Sequence, residues 1–455
     1  MDYENQSLLK NFMLNSSFHG LKYLAEPGRH WSERLFWVLS CSTSWYISIT
    51  LMYSTWISYQ NNAISFMVET SYTEWDSKFP AVFVCDVKND DKIATVSDKI
   101  YGDPHDYTLD EMVKELAFYD ENYFFTMEIC GPHKRNPHPM CYLTNISDIA
   151  NQVQSTCSET FLGCAWNKNP FECCKHFAPI TTDLGVCYGL NSIQTNHALK
   201  LQMISNRTLG PGSLQLELNG RKQVYILGPL EVPSTVTSKR DFIQVVPSSK
   251  TKRTFNLKDI ENEPEVKSLN IHQRKCRFAE ENYLDVINSY SYSACLMQCR
   301  KDAQLRKCGC AHHLMPNLTY EKHCNFSGLA CLQQNLRELT VQKPPGSTKI
   351  GLECSCLPSC MEIQLDVVTE ETFDVPEEFG MLELALEKLP TERFKRNVVK
   401  GHLDVVVSIG SASTLFVGAS FLSFVEIIYY LIFLPFNNYI KRLLKARSTT
   451  LMAWF

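Results

Sequence analysis

Two long stretches without charge lie near the two ends of the chain. Residues 35–68 contain no Asp, Glu, Lys or Arg, and residues 405–440 contain a single charged residue, Glu426. A helix needs about 20 mostly apolar residues to cross the roughly 30 Å hydrocarbon core of a bilayer. We therefore predict two transmembrane helices, residues 35–58 and residues 405–436.

The first of these stretches is rich in serine, threonine and aromatic residues. An uncharged but polar span is typical of a helix that packs against other helices through small and hydroxyl side chains. The alternative is a secretory signal peptide. It is disfavoured because 34 residues precede the stretch and no small-residue cleavage site follows it.

The charges beside the second stretch predict its orientation. Four basic residues and no acidic one follow it: Lys441, Arg442, Lys445 and Arg447. Basic residues next to a span favour the cytosolic side, so we expect residues 437–455 to form a cytosolic tail. Two spans place both termini on one side, which makes residues 1–34 cytosolic and residues 59–404 extracellular. We expect a multi-pass protein of the plasma membrane.

The segment between the spans carries the marks of an oxidising compartment. It holds 18 of the 19 cysteines, the exception being Cys41 in the first span. Disulfides persist outside the cytosol, where N-linked glycans are also found. We expect glycosylation at the four N-x-S/T sites of this segment: Asn145, Asn206, Asn317 and Asn325.

Other chemistry is disfavoured by the sequence. A net charge of −5 gives no electrostatic basis for nucleic-acid binding. His312 and His313 follow a Cys-Gly-Cys motif, but a zinc site is disfavoured because oxidation competes with thiolate ligation outside the cell. The sequence contains no nucleophile–base–acid set and no phosphate-binding loop. We therefore expect that the protein is not an enzyme and that it has no catalytic residue, no metal and no cofactor.

Local patterns in the segment between the spans predict a mixture of helices and strands. Thr108 to Glu111 has the form of a capping box at a helix start, and residues 290–305 predict a second helix. Alternating leucines and an Asn-Gly pair predict a β-hairpin over residues 213–227. An acidic run lies near the first helix: Asp103, Asp106, Asp110, Glu111 and Glu115. A solvated helix face is the favoured interpretation of this run, and a proton or cation sensor is the alternative.

Several motifs follow one another in a characteristic order. They are His19-Gly20, Phe79-Pro80-Ala81-Val82-Phe83-Val84-Cys85, Gly185-Val186-Cys187-Tyr188-Gly189-Leu190-Asn191, Gln273-Arg274-Lys275-Cys276-Arg277-Phe278, the segment from Tyr290 to Cys299, Cys354-Ser355-Cys356-Leu357-Pro358-Ser359-Cys360, and Gly418-Ala419-Ser420 followed by Glu426. In this order they resemble the degenerin/epithelial sodium channel family, most closely its insect pickpocket subunits. The resemblance covers nearly the whole chain.

The resemblance implies an α+β membrane protein, in which two transmembrane helices flank a large disulfide-rich extracellular domain. That domain would contain a β-sheet palm, a helical finger and a helical thumb. The implied disulfides are Cys85–Cys187, Cys276–Cys360, Cys295–Cys356, Cys299–Cys354, Cys308–Cys331 and Cys310–Cys324. The pairing of the other six extracellular cysteines stays open: Cys130, Cys141, Cys157, Cys164, Cys173 and Cys174.

The resemblance also implies the residues of a pore. Gly418, Ala419 and Ser420 would form the selectivity filter where three second spans meet, because small residues expose carbonyls that can replace an ion's hydration shell. Composition alone also admits a helix-packing face. His19 and Gly20 would act in gating, with the segment before the first span folded back beneath the pore.

Further pore-lining candidates lie along the second span. A carboxylate in lipid is costly, so Glu426 is expected to face water as a lower-pore cation site. The alternative is a helix interface in which Glu426 is protonated or bonded to a neighbouring serine. Asp404 could concentrate cations at the outer mouth or merely mark the membrane border. Val407 stands where the family prefers a small residue, which predicts either a raised basal current or a position where neighbouring subunits tolerate the bulk. Ser411 belongs to a stretch where relatives often carry Gly-Gly, which puts amiloride sensitivity in doubt.

We therefore expect a pore-forming subunit of a trimeric, sodium-selective, amiloride-sensitive channel that conducts Na⁺ and binds no cofactor. Its partners would be membrane lipid and related subunits, in a homotrimer or heterotrimer, and the gating stimulus stays open. One alternative is an accessory subunit that conducts only in heteromers. Another is a two-span ATP-gated channel, which the Phe-Pro-Ala-Val and Cys-x-Cys-Leu-Pro-x-Cys motifs disfavour.

Overall fold

The chain divides into two compact units in a computed structural model. The terminal unit is Met1–Ser65, Glu265–Arg274 and Asn397–Phe455, and the central unit is Phe66–Pro264 and Lys275–Arg396. The structure describes residues 8–70, 75–118, 123–132, 141, 146–195, 201–344, 346–437, 439–441 and 444.

The terminal unit is helical. Its helices are Leu8–Asn15, Leu21–Ala25, Trp31–Asn61, Ile271–Arg274, His402–Val417 and Phe421–Ile428, with a π-helical turn at Tyr429–Phe433. Among the described residues, two stretches are long and apolar enough to cross a membrane, Trp31–Asn61 and Phe421–Lys441. His402–Val417 is a shorter apolar helix. We call Trp31–Asn61 the first helix, His402–Val417 the outer helix and Phe421–Ile428 the inner helix.

The sequence predicted one continuous helix over residues 405–436. The structure instead has two helices there, separated by a break. The outer helix ends at Gly418, whose φ of +68° lies in the left-handed region. Glycine adopts this conformation without penalty and commonly ends helices. Ser420 then caps the inner helix, because its hydroxyl accepts the N–H of Ser423 at 3.4 Å. Three residues, 418–420, therefore separate the two helices.

The central unit contains two larger sheets. Its strands, together with two that reach into the terminal unit, are β1 Ile64–Glu69, β2 Ser77–Lys78, β3 Ala81–Lys88, β4 Phe161–Trp166, β5 Asn169–Pro170, β6 Ala178–Thr182, β7 Gly185–Leu190, β8 Ile204–Ser205, β9 Ser213–Leu218, β10 Arg221–Leu227, β11 Phe242–Val245, β12 Ser249–Asn262, β13 Glu362–Asp374, β14 Gly380–Leu386 and β15 Arg393–Val398. One sheet has the order β1-β15-β12-β14-β9-β4-β5, with β13 paired to β12, and the other has the order β11-β10-β3-β7-β6.

The predicted hairpin over residues 213–227 is wrong. Its two strands exist, but β9 pairs with β4 and β14, whereas β10 pairs with β3 and β11. The chain crosses from one sheet to the other at Gly220 (φ +70°). Leu216 of β9 and Ile226 of β10 both lie in one buried apolar cluster. The two strands therefore pack into the same core without pairing with each other through backbone hydrogen bonds.

Short helices complete the central unit. They are Asp90–Tyr101, Tyr107–Ala117, Phe124–Cys130, Ile146–Val153, Cys157–Thr160, Cys173–His176, Tyr292–Cys308, Phe326–Gln334 and Leu336–Thr340. The expected helix over residues 290–305 is present with shifted ends. The capping box predicted at Thr108 is wrong, because Asp106 caps this helix and its carboxylate accepts the N–H of Thr108 at 3.0 Å.

The acidic run does not form one solvated face. Glu115 is buried and its carboxylate accepts the N–H groups of Phe125 at 2.9 Å and Thr126 at 2.8 Å. Asp110 contacts the ring of His105 at 2.9 Å. Only part of the run is therefore free to be a solvated helix face.

Nine disulfides join the 18 extracellular cysteines of the predicted layout. Six of them are the pairs that the family resemblance implied, and the other three are Cys130–Cys141, Cys157–Cys174 and Cys164–Cys173. Cys41 is free. Loss of one native bridge typically costs about 2–5 kcal/mol. The predicted fold class is confirmed: apolar helices near both ends enclose a sheet-rich, disulfide-bonded unit in sequence.

Candidate functional site around Gly418 and His19

The break between the outer and inner helices requires other hydrogen-bond donors for the last carbonyls of the outer helix. The last turn of any helix leaves its C=O groups without intrahelical partners. Here two of them are bonded within the break, because Gly418 N–H donates to Thr414 at 3.0 Å and Ala419 N–H donates to Ser413 at 3.2 Å. The hydroxyl of Thr414 donates to the carbonyl of Ala419 at 3.1 Å. These bonds fix the backbone of residues 418–420.

Two more carbonyls of this turn are bonded by other segments of the terminal unit. The hydroxyl of Ser44 in the first helix donates to the carbonyl of Phe416 at 2.6 Å. The N–H of His19, in the segment before the first helix, donates to the carbonyl of Val417 at 2.9 Å. The break is thus stabilised by the first helix and by the N-terminal segment together.

His19 also occupies the space beside Gly418. A Cβ atom placed on Gly418 would lie 2.4 Å from the His19 ring. Gly418 therefore needs to be glycine for two reasons, its left-handed backbone and this close approach. The structure brings these two predicted site residues into contact.

Gly20 is similarly constrained against the first helix. Its φ is +81°, and a Cβ atom there would lie 2.5 Å from the Sγ atom of Cys41. Beside it, the ring of Tyr23 stacks on Trp37 with ring centres 4.3 Å apart. The His19-Gly20 turn is consequently held between the first helix and the helix break.

Glu426 of the inner helix binds the same N-terminal segment. Its Oε2 atom accepts the backbone N–H of Ser17 and the hydroxyl of Ser17, both at 3.0 Å. The Ser17 hydroxyl lies 2.6 Å from that of Ser423. Of the two sequence interpretations of Glu426, this contact matches the one in which a neighbouring serine binds the carboxylate. Sequence reasoning missed Ser17, whose only signal is its place two residues before the His-Gly motif.

The first helix packs against the outer helix through a hydroxyl face. Ser48 is fully buried and its hydroxyl donates to the carbonyl of Ala412 at 3.4 Å. The Ser413 hydroxyl contacts the sulfur of Met52 at 3.5 Å. The serine content of the first apolar stretch therefore has a structural use, as small hydroxyl residues allow close helix approach.

The other pore candidates lie on the outer helix, away from the break. The carboxylate of Asp404 accepts the N–H of Gly401 at 2.9 Å and so caps the start of the helix. The hydroxyl of Ser411 donates to the carbonyl of Val407 at 2.7 Å. Val407 is 57% exposed in the single chain. The structure does not bring these three residues into contact with Ser420 or Glu426 by any hydrogen bond among the described residues.

The predicted glycosylation sites in the described ranges are asparagines of the central unit; Asn317 and Asn325 are exposed, and Asn206 is half-buried. Asn206 accepts the N–H of Thr208 at 3.1 Å, Asn317 donates to the carbonyl of Asp285 at 2.6 Å, and Asn325 caps the helix Phe326–Gln334. Asn145 lies outside the described residues.

The histidines after Cys-Gly-Cys are buried and engaged with protein groups. His312 contacts the hydroxyl of Tyr123, and His313 Nε2 lies 2.7 Å from the carbonyl of Leu116. Burial lowers the pKa of His312 and lowers that of His313 to about 4. The described residues contain no group of three His, Cys, Asp or Glu placed to hold a metal ion.

Comparisons with known proteins agree with the family resemblance of the sequence motifs. The family model described as "Amiloride-sensitive sodium channel" matches residues 12–430. "Sodium channel protein Nach" of Drosophila melanogaster is 23% identical, over 94% of this chain and 88% of its own length. "Pickpocket protein 28" of the same organism is 19% identical, over 93% of this chain and 78% of its own length. "Acid-sensing ion channel 4" of Rattus norvegicus is 22% identical, over 97% of this chain and 82% of its own length.

Proposed function

Because the chain belongs to the amiloride-sensitive sodium channel family, we propose that it is a pore-forming subunit of a trimeric, sodium-selective channel of the plasma membrane. Its family and its relatives are channels, not enzymes. Both termini would be cytosolic, residues 59–404 extracellular, and the permeant ion Na⁺. Membrane lipid and related subunits would be its partners, in a homotrimer or a heterotrimer.

The observation that carries this proposal is the break at residues 418–420 within an apolar stretch. An interrupted helix is stable at membrane depth only where protein or a water-filled cavity surrounds the irregular backbone. Ala419 is buried in the chain, whereas Ser420 is exposed. Three copies of this segment would form the selectivity filter, with small side chains and backbone oxygens replacing part of the ion's hydration shell.

The N-terminal segment would couple to the filter through His19. The contacts of His19 with Val417 and Gly418 mean that displacing the segment leaves one filter-side carbonyl unbonded and opens space beside residue 418. An unbonded buried carbonyl costs about 1–3 kcal/mol. The segment is therefore suited to bias the channel between two states, which supports a gating role for His19 and Gly20.

Glu426 would contribute to the lower pore and to this coupling. Ser17 occupies its Oε2 atom, while Oε1 accepts no hydrogen bond from the part of the chain that the structure describes. The free oxygen could bind a permeating cation while the other holds the N-terminal segment. On the outer helix, Asp404, Val407 and Ser411 would line the wider outer mouth.

Recording from oocytes that express the chain alone tests the proposal. Replacing external sodium with a large organic cation should abolish inward current, and amiloride should reduce it. Ser420→Cys should shift the reversal potential measured with mixed sodium and potassium. Ser54→Cys is the matched control, because Ser54 is an exposed serine of the first helix whose side chain makes no hydrogen bond among the described residues.

Three outcomes would revise the proposal. Current that appears only with co-expressed relatives would make this chain an obligate heteromer subunit. Current evoked by ATP alone would indicate a different channel class. A sodium current whose selectivity is the same in Ser420→Cys and in Ser54→Cys would remove residues 418–420 from the filter.

A further inference from the structure

Several hydroxyl groups of the first and outer helices bond within their own helix. A serine or threonine hydroxyl inside a helix often donates to the backbone carbonyl one turn earlier. The hydroxyl of Thr43 donates to the carbonyl of Leu39 at 2.9 Å, and that of Ser411 donates to the carbonyl of Val407 at 2.7 Å. Such a bond satisfies the hydroxyl and makes no contact between the two helices.

Ser44 and Ser48 of the first helix depart from this pattern. Both hydroxyls donate to the outer helix, Ser44 to the carbonyl of Phe416 at 2.6 Å and Ser48 to the carbonyl of Ala412 at 3.4 Å. The two donors are four residues apart and so are the two acceptors, in the opposite direction along the chain. Residues four apart lie on one face of a helix, so the two bonds join one face of the first helix to one face of the outer helix.

The two acceptor carbonyls differ in their other partners. Ala412 lies inside the outer helix, where its carbonyl accepts the N–H four residues later in the regular helical pattern. Phe416 lies in the last turn, and the N–H four residues later belongs to Ser420. That N–H donates to the hydroxyl of Ser423 at 3.0 Å, because Ser420 already caps the inner helix. The break therefore takes the helical donor away from the carbonyl of Phe416.

The hydroxyl of Ser44 takes the place of that donor. Ser44 is half-buried in the single chain, and its 2.6 Å bond to Phe416 is shorter than the 3.4 Å bond of Ser48. At membrane depth no water is available to bond a carbonyl that loses its partner, and an unbonded carbonyl is destabilising. Removal of the Ser44 hydroxyl thus leaves an unbonded carbonyl, whereas removal of the Ser48 hydroxyl does not.

We propose that Ser44 is a positioning residue of the selectivity filter: its hydroxyl replaces the helical hydrogen bond that Phe416 loses at the break and so fixes the backbone that enters residues 418–420. Ser44 itself does not contact the permeating ion and acts through the carbonyl of Phe416. The inference rests on the proposed channel function and adds a residue of the first helix to the determinants of ion selectivity.

Hydrogen exchange of the purified full chain in detergent tests the bond without a current measurement. The exchange rate of backbone amides reports how often their segment opens, and a peptide of residues 413–424 covers the break. Ser44→Ala should speed exchange in this peptide by about threefold, which corresponds to the average interhelical hydrogen bond of a membrane protein. Ser44→Thr keeps a hydroxyl and should exchange at the wild-type rate.

Two further serines separate this bond from helix packing in general. Ser40→Ala is the matched control, because Ser40 lies one turn before Ser44 and its side chain makes no hydrogen bond among the described residues. Ser48→Ala removes the other interhelical bond but leaves the carbonyl of Ala412 its helical partner. Neither variant should speed exchange as Ser44→Ala does. Equal acceleration in Ser48→Ala and Ser44→Ala would assign the effect to helix packing and overturn the proposal.

Recording from oocytes tests the link to selectivity. Ser44→Ala should lower the permeability ratio of sodium to potassium, seen as a shift of the reversal potential in mixed solutions, and Ser44→Thr should restore the wild-type value. Ser40→Ala and Ser48→Ala should keep it. A role of Ser44 in folding alone would reduce surface expression and current amplitude, which surface labelling measures, and would leave the reversal potential unchanged.

The outcomes separate this inference from the proposed function. A chain that conducts no sodium current, alone or with relatives, would contradict the channel proposal and with it the role of Ser44 in selectivity. If the chain conducts and Ser44→Ala keeps the wild-type reversal potential, the inference about Ser44 is wrong and the channel proposal stands, whether or not exchange becomes faster. If gel filtration shows that Ser44→Ala misfolds, Ser44→Cys replaces it in both measurements, because a thiol is only a weak donor.

Discussion

The backbone N–H of His19 donates a 2.9 Å hydrogen bond to the carbonyl of Val417, the last residue of the outer helix. Two residues almost 400 positions apart in sequence thereby join the start of the chain to its helix break. The His19 ring fills the space beside Gly418, and Ser17 binds Glu426 on the other side of the break. The N-terminal segment is therefore part of the same structural element as residues 418–420.

Gly418→Ala is expected to disrupt this element. The added methyl group would overlap the His19 ring, and alanine disfavours a φ of +68°. Amplitude and gating of the sodium current should both change, with surface labelling used to correct for expression. Gly410→Ala is the matched control, because Gly410 lies inside the outer helix with no atom within 4 Å of the added Cβ. If both variants change the amplitude and gating of the current equally, the close approach of His19 to Gly418 does not contribute to function.

Ser17→Ala is expected to change gating through Glu426. The variant keeps the backbone N–H bond but removes the hydroxyl bond to Oε2 and the contact with Ser423. A hydrogen bond to a carboxylate contributes about 1 kcal/mol or more, so open probability should shift by several-fold. Glu426→Gln should produce a similar shift.

The double variant separates coupling from independent effects. If Ser17 and Glu426 act through their contact, the combined effect of both substitutions should be smaller than the sum of the single effects. Ser16→Ala is the control, since the Ser16 hydroxyl accepts only the N–H of Phe18 at 3.3 Å among the described hydrogen bonds. Strict additivity would argue against a functional link between Ser17 and Glu426.

The sequence alone was sufficient to predict the family and the general architecture. The resemblance to the degenerin/epithelial sodium channel family is confirmed by a match over residues 12–430. Ordered motifs carried this prediction, although the overall identity to the relatives is only 19–23%. The two apolar ends followed from composition alone.

Long-range relationships were beyond local patterns. The Asn-Gly turn at residues 219–220 indicates that the chain reverses, but it does not say whether the two strands join one sheet or two. Hydropathy likewise does not distinguish a continuous span from one broken at Gly418, because every residue of the break is uncharged. The contact between Ser17 and Glu426 has no periodic signal and depends on the segment folding back.

Val407→Ala tests the departure from the family pattern in the outer helix. Val407 is 57% exposed and so presents its bulk to whatever surrounds the helix in the assembled channel. We expect lower basal current in the alanine variant, because the family resemblance implies a small residue at this position and the added bulk of valine predicts a raised basal current. Val406→Ala is the control, as the neighbouring valine is also exposed, at 67%, and points to a different face of the helix. Unchanged basal current in Val407→Ala would contradict the prediction.

The buried histidine pair predicts acid lability of the central unit. His313 is 5% exposed, and its Nε2–H donates to the carbonyl of Leu116, which leaves Nδ1 buried without a hydrogen-bond partner. Protonation would place a charge on that atom, so burial lowers the pKa of His313 to about 4, below its value of about 6.5 in the unfolded chain.

The sign of this effect follows from proton binding. Between pH 6.5 and pH 4 the unfolded chain binds more protons at this site than the folded chain, so stability is complete above about pH 6.5 and is lost as the pH falls toward about 4. The limiting loss is of order 3 kcal/mol. Thermal unfolding of the purified chain across this pH range should show a smaller slope in His313→Gln, whose amide can still donate to Leu116. His176→Gln is the control, because His176 is not a buried histidine. Equal slopes in the wild type and His313→Gln would show that His313 titrates normally and that other groups set the acid stability.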